Sequence, residues 1–216
     1  MKLTVSIFVL LVTVCVCSIA SAGIVSVTDT LYEGMNQMCM QGVPINPDPA
    51  VVFAGNVINN QLYRQDAATQ CSSMYDVWAP WDFGGILLAD GYQLISAVPG
   101  SYTYDTLGDV DSMDVWISLP KQGWTLLGNP YSYPYSWENV KVTDGNVTVS
   151  MQTAAKTNNW LQSVGFFYNA SEGTTYGIGI AEDFQDTTDM PIRHGIWIWT
   201  EVDKIALILE AAPPPP

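Results

Sequence analysis

Hydrophobic and polar residues alternate with a period of two along much of the chain. The pattern is clear in VWISL (115–119), GIWIWT (195–200), VTVSM (147–151) and KIALIL (204–209). A period of two places successive side chains on opposite faces of an extended backbone, so each of these stretches predicts a strand. Between them lie short clusters of Gly, Pro, Asn and Asp, among them DAAT (66–69) and NASEG (169–173), which predict hairpin turns. MQTAAKTNNW (151–160) is the one stretch that reads as helical, with Ala154 and Ala155 as good helix formers. The pattern therefore predicts an all-β fold, a sandwich or barrel-like structure with at most one or two short helices.

The predicted strands recur. Residues from Gly34 (GMNQMCMQGVPINPDPAVV) lie over those from Gly123 (GWTLLGNPYSYPYSWENVK) at a constant offset of 89. LYRQDAATQCSS (62–73) lies over GFFYNASEGTTY (165–176) at an offset of 103, and DGYQLIS (90–96) over HGIWIWT (194–200) at 104. Three blocks in one order predict two divergent repeats sharing one interior, a first over 23–114 and a second over 115–210. The change of offset puts an insertion in the second copy near 143–160.

GWTLLGNP (123–130), the tryptophan that follows at 137 and HGIWIW (194–199) resemble a module of uncharacterised secreted bacterial proteins. That module carries paired Gly-Trp-Asn-Leu-x-Gly-x-Pro and Gly-Tyr-Trp segments. The resemblance covers most of 34–210 and implies secretion and β architecture; it brings no activity with it. Met35 stands where the module has its first Trp, Gln41 at the first Pro, and Gln93 and Ile196 at later aromatic or aliphatic positions, which makes the first copy the looser match.

The ends fit an exported chain. Lys2, an apolar run from Ile7 to Val16 and the small-x-small close Ala20-Ser21-Ala22 read as a signal peptide over 1–22. Residues 211–216 form a proline-rich tail that reads as a stiff spacer. Beyond the leader no segment is long and apolar enough to cross a bilayer. Lys2 leaves with the leader, so six of the seven Lys and Arg remain against 21 acidic residues. That balance repels phosphate backbones, which excludes nucleic acid as a partner and disfavours anionic membranes.

The candidate chemistry is sparse. His194 is the single histidine, and it precedes a strand where a backbone hydrogen bond is its simplest role. No phosphate loop, dinucleotide fingerprint or zinc motif occurs, and no cofactor is expected. Cys39 and Cys71 remain after leader cleavage; in an oxidising compartment they can form a disulfide, stabilising by about 3 kcal/mol. Glu138, Glu172, Glu182, Asp183 and Glu201 are available for a glycosidase-type carboxylate pair. Asp109, Asp111 and Asp114, and Glu182, Asp183, Asp186 and Asp189, form two acidic loops that read as solvated rather than as calcium sites, so no metal is assigned. Two sequons, Asn146-Val147-Thr148 and Asn169-Ala170-Ser171, fall in predicted turns.

Residues 131–137 offer the most specific site. Tyr131, Tyr133 and Tyr135 have no aromatic counterpart in the first copy, and alternate spacing in a segment held extended by Pro130 and Pro134 points them to one side. Together with Trp137 they form the candidate ligand-binding row, suited to a carbohydrate or a cell-surface protein. Trp124, following Gly123, is expected to fill the core as Met35 does. The functional expectation is a secreted or cell-surface, non-catalytic interaction protein; the alternative is an extracellular carbohydrate-active hydrolase.

Overall fold

The computed structural model describes residues 23–56, 61–107, 110–180, 183 and 185–211. The leader, residues 212–216 of the tail, Asp109 and Glu182 lie outside the described residues. The chain is all-β, arranged as packed antiparallel sheets, none of them closed into a barrel. The first half supplies β1 (Ile24–Leu31), β2 (Gly34–Cys39), β3 (Gln61–Asp66), β4 (Cys71–Met74), β5 (Gly91–Ser96) and β6 (Gly100–Leu107). The second supplies β7 (Val115–Leu119), β8 (Gly123–Gly128), β9 (Tyr135–Ser136), β10 (Lys141–Thr143), β11 (Thr148–Ser150), β12 (Val164–Asn169), β13 (Thr174–Gly179), β14 (Asp189–Met190), β15 (Gly195–Thr200) and β16 (Ile205–Leu209). Three short helices interrupt them: α1 (Pro49–Val52), α2 (Pro80–Phe83) and α3 (Met151–Lys156). The first two each open on a proline, whose fixed φ starts a helical turn, which is why they escape a search for helical periodicity.

Two four-stranded sheets share one plan. The first runs β2-β5-β3-β4 and the second β8-β15-β12-β13. Their registers correspond: Gly34 faces Ser96 as Gly123 faces Thr200, and Tyr63 faces Met74 as Phe166 faces Gly177. Gly34 and Gly123 both have positive φ, at 91° and 134°. Gln70 and Gly173, at equivalent places in the two hairpin turns, are both left-handed, as are Ala89 and Arg193 before β5 and β15. The β1–β6 ribbon backs the first sheet, and β11-β10-β16-β7 backs the second.

Each half buries its own apolar residues. In the first, Leu62, Tyr92 and Leu94 face Val27, Leu31 and Tyr104 from the ribbon. In the second, Leu127, Ile196, Ile198 and Ile178 face Ile117, Leu119, Leu207 and Leu209. The shared interior expected from the repeat is thus two cores. Alternation explains the division: a strand offers one face to its own backing layer, and its other face points away.

Those other faces meet across a seam of small residues. The Cys39 N–H donates to the Arg193 carbonyl at 3.0 Å, and the Gly128 N–H donates to the Ala89 carbonyl at 2.9 Å. Cys39 and Gly128 are equivalent by the offset of 89, and Ala89 and Arg193 by that of 104, so the two bonds are reciprocal, as in an isologous contact. A methyl group on Gly128 would overlap the Cys39 Cβ, and one on Gly195 would meet the Met38 backbone at 3.2 Å. The two sheets touch again where the Tyr168 N–H donates to the Gln37 side-chain carbonyl at 2.9 Å and where the Gln70 side chain lies against Gly123.

Candidate functional site

The tyrosine row is largely withdrawn from solvent, with Tyr133 and one edge of Tyr135 reaching a surface cleft of about 790 Å³ beside Glu138, Lys141 and Glu210. Tyr131, Tyr135 and Trp137 are buried, and Tyr133 is half-buried. The buried Asn129 shapes their loop by donating to the Tyr133 and Met190 carbonyls at 2.7 and 3.2 Å, while its own carbonyl accepts from the Tyr131 N–H. The Tyr131 hydroxyl donates to the Leu209 carbonyl at 2.6 Å and lies 2.9 Å from that of Met113. Tyr135 accepts from the Glu210 N–H, and the Trp137 indole donates to the Ser163 carbonyl at 3.0 Å. The Tyr131 ring stacks on Tyr133 at 5.2 Å and meets Tyr135 at a tilt of 32°, 5.5 Å away. Burial pushes the Tyr131 and Tyr135 phenols above their usual range. The ligand-binding assignment of Tyr131, Tyr135 and Trp137 is corrected: these rings belong to the second core, and their polar atoms pair with the Leu209, Met113 and Ser163 carbonyls and the Glu210 N–H.

The disulfide is also corrected. Cys39 is a buried free thiol and Cys71 an exposed one. They lie on β2 and β4, the two edge strands of the first sheet, with β5 and β3 between them. Three strand spacings amount to about 14 Å, against the roughly 7 Å limit on Cα separation for a disulfide. Burial pushes the Cys39 thiol far up, which holds it protonated and inert.

Several of the remaining candidates are occupied locally. His194 Nδ1 lies 2.9 Å from the Ile192 carbonyl, and its ring meets Phe167 edge-on. Asp111 accepts from the Ser132 N–H and hydroxyl, Asp114 from the Ala211 N–H, and Asp186 from the Gly177 N–H. Asp183 pairs with Lys156 at 3.0 Å. Among the described residues no three His, Cys, Asp or Glu side chains converge as metal ligands. Glu172 receives the Tyr176 hydroxyl in its hairpin.

A further group of rings lies on the outward face of β8-β15-β12. Alternation sends Leu127, Ile196, Ile198 and Phe167 into the core, and so sends Trp124, Trp197, Trp199 and Phe166 the other way. Trp124 is 40% exposed and Phe166 39%, while Trp197 and Trp199 are half-buried. Trp124 therefore does not fill the core as expected, and its counterpart Met35 is likewise only half-buried. Register brings the rings together: Trp124 pairs with Trp199, and Trp197 with Phe166. The Trp124 ring meets Trp199 at 5.4 Å and 68°, and Trp197 at 6.4 Å and 89°. These near-perpendicular contacts build the walls of a corner rather than a flat stack.

Gln65, on β3 of the first half, closes this corner into an open cleft of about 480 Å³ lined by Gln65, Trp124, Phe166 and Trp197. The Gln65 side-chain carbonyl accepts from the Ser72 hydroxyl at 2.8 Å, which fixes the amide. None of the four lining side chains carries a charge or a proton that titrates near neutrality, so the cleft is equipped to stack and to hydrogen-bond, not to transfer protons. The sequence held a signal for it. GIWIWT gives isoleucines to one face and tryptophans to the other, and a sheet backed on one side can bury only one of them.

No family model matches the chain, and neither does any curated protein or solved structure. No helix among the described residues is long and apolar enough to cross a membrane.

Proposed function

We propose that the chain is a secreted or cell-surface, non-catalytic binding protein, built from two divergent copies of one β unit, that engages a carbohydrate or a protein through the indole face of its second copy. The carrying observation is the group of three tryptophans and a phenylalanine left on the outward face of β8-β15-β12, beside a cleft with no titratable side chain. Contiguous exposed aromatic surface has a solvation cost, and single-chain proteins keep it where something docks. Support for the duplication comes from the matching strand orders, the matching registers and the reciprocal seam hydrogen bonds. Support for export comes from the leader pattern and the acidic, low-lysine composition.

The test is an array of glycans and extracellular proteins probed with the mature chain and with its Trp197→Ala variant, fold checked by circular dichroism. Signals lost in the variant support the reading. Signals that survive at full strength move the binding site elsewhere.

A further inference from the structure

We infer that the ligand of the indole cleft is a neutral carbohydrate, bound with one pyranose ring in the corner between Trp124 and Trp197 and hydrogen-bonded to the Gln65 amide. The inference rests on the proposed reading of this face as a binding surface and specifies its ligand.

Three observations select the class. The first is charge. The chain carries 21 acidic residues, yet no charged side chain lines the cleft. An anionic ligand meets repulsion at long range and no cation at contact, and a cationic one finds no carboxylate in the lining. The second is the lone polar side chain. With its carbonyl held by Ser72, the Gln65 NH2 group has no protein partner among the described residues. It presents two donors at the edge of an aromatic wall, the arrangement that a ring of hydroxyl acceptors satisfies. The third is shape. Rings at 89° offer one indole face as a platform for the C–H side of a pyranose and a second ring along its rim. A cleft of about 480 Å³ accommodates one to a few sugar units and is open enough for a chain to continue past it.

The first copy supplies an internal contrast. Met35, Gln93 and Tyr63 occupy the positions of Trp124, Trp197 and Phe166, so its equivalent face lacks the indole corner. One site per chain is the expected stoichiometry.

The experiment is isothermal titration of the mature chain with uncharged oligosaccharides of glucose, galactose, mannose and N-acetylglucosamine, three to six units long. The expected result is saturable binding of at least one of them at one site per chain. Trp197→Gln, which installs the residue its counterpart strand already carries, weakens binding by at least about tenfold. Gln65→Ala weakens it by roughly three- to tenfold, the effect of one lost hydrogen bond. Trp78→Ala, which removes an indole that is 86% exposed but lies outside the cleft, leaves it unchanged.

Binding that persists undiminished in Trp197→Gln overturns both the inference and the placement of the site. Absence of heat from every oligosaccharide overturns the inference alone if the chain self-associates in sedimentation and Trp197→Gln abolishes that association, because the face then binds protein. Absence of heat together with silence on the protein array removes the face as a binding surface altogether.

Discussion

The two four-stranded sheets have the same strand order and register, and they differ most on their outward faces. Where β2-β5-β3 carries Met35, Gln93, Ile95 and Tyr63, β8-β15-β12 carries Trp124, Trp197, Trp199 and Phe166. Inward positions on β2-β5 and β8-β15 keep their kind, with Met38, Tyr92 and Leu94 matched by Leu127, Ile196 and Ile198, whereas on β3 Leu62 and Arg64 give way to Gly165 and Phe167 of β12. The backbone is therefore satisfied without indoles, as the first sheet demonstrates. Packing against a backing layer fixes the inward class of residue, and the outward class is free to follow whatever the face meets.

The largest expected effect tests another place where the halves diverge. Trp137 and Asp48 are equivalent by the offset of 89, and each opens a short helical turn. Asp48 caps α1 by accepting from the Ala50 N–H at 2.9 Å, whereas Trp137 is fully buried in the second core. Trp137→Ala should destabilise by about 3–5 kcal/mol, and Asp48→Ala by about 1 kcal/mol. Urea denaturation checks both. Equal costs would mean that the second core collapses around the missing indole.

How much of this could be read in advance divides along the same line. The strands, the turns DAAT and NASEG and the equivalences between Gly34 and Gly123 were legible, because period two and positive-φ glycines act over a few residues. The burial of Tyr131 and Tyr135 was not. Alternate spacing says that the rings share a side, but the atoms that cover that side come from Met113, Leu209 and Glu210, about twenty to eighty residues away in sequence. The indole face was half-legible: the alternation in GIWIWT was visible, yet which of its faces met the backing layer depended on β7 and β16. Cys39 and Cys71 failed as a pair because spacing along the chain carries no information on which strands separate them.

The seam offers the next test. Equivalent positions meet there, and one holds Cys39 while the other holds Gly128, where a Cβ would overlap the Cys39 side chain and crowd the His194 carbonyl at 2.7 Å. Gly128→Cys should overfill it and destabilise by about 1–3 kcal/mol. Combining it with Cys39→Gly moves the side chain to the other half, and the double variant should recover part of that loss. A double-mutant cycle reads the coupling directly. Strict additivity of the two substitutions would show that the positions do not share the space.

A smaller effect follows from giving the second sheet the outward residues of the first. The triple variant Trp124→Met, Trp197→Gln, Trp199→Ile removes two edge-to-face ring contacts, both partly solvated, so stability should fall by about 1 kcal/mol. On a chain of this size that lowers the melting temperature by about 2–4 °C. A loss several times greater would assign the indoles a structural role and weaken the case for a binding face.

The smallest effect concerns the positions before Gly91 and Gly195, where the first half has Asp90 and the second His194. Burial pushes the Asp90 carboxyl above its usual range; nearby Arg64 pulls it back in part, and Asp66 adds to the rise. In the folded chain Asp90 therefore keeps its proton to a higher pH than in the unfolded chain. Between the two values the native state holds the extra proton, so stability falls as pH climbs through that window. Asp66 has the opposite sign: the Ala68 N–H donates to it at 2.7 Å and lowers its carboxyl, so its contribution is present above the unfolded value and is lost as the solution is acidified. Asp90→Asn should raise the melting temperature near neutral pH and leave it unchanged near about pH 3, where the carboxyl is protonated in both states. Asp66→Asn should lower it near neutral pH. If Asp90→Asn is instead destabilising at neutral pH, the attraction of Arg64 outweighs the burial of the charge.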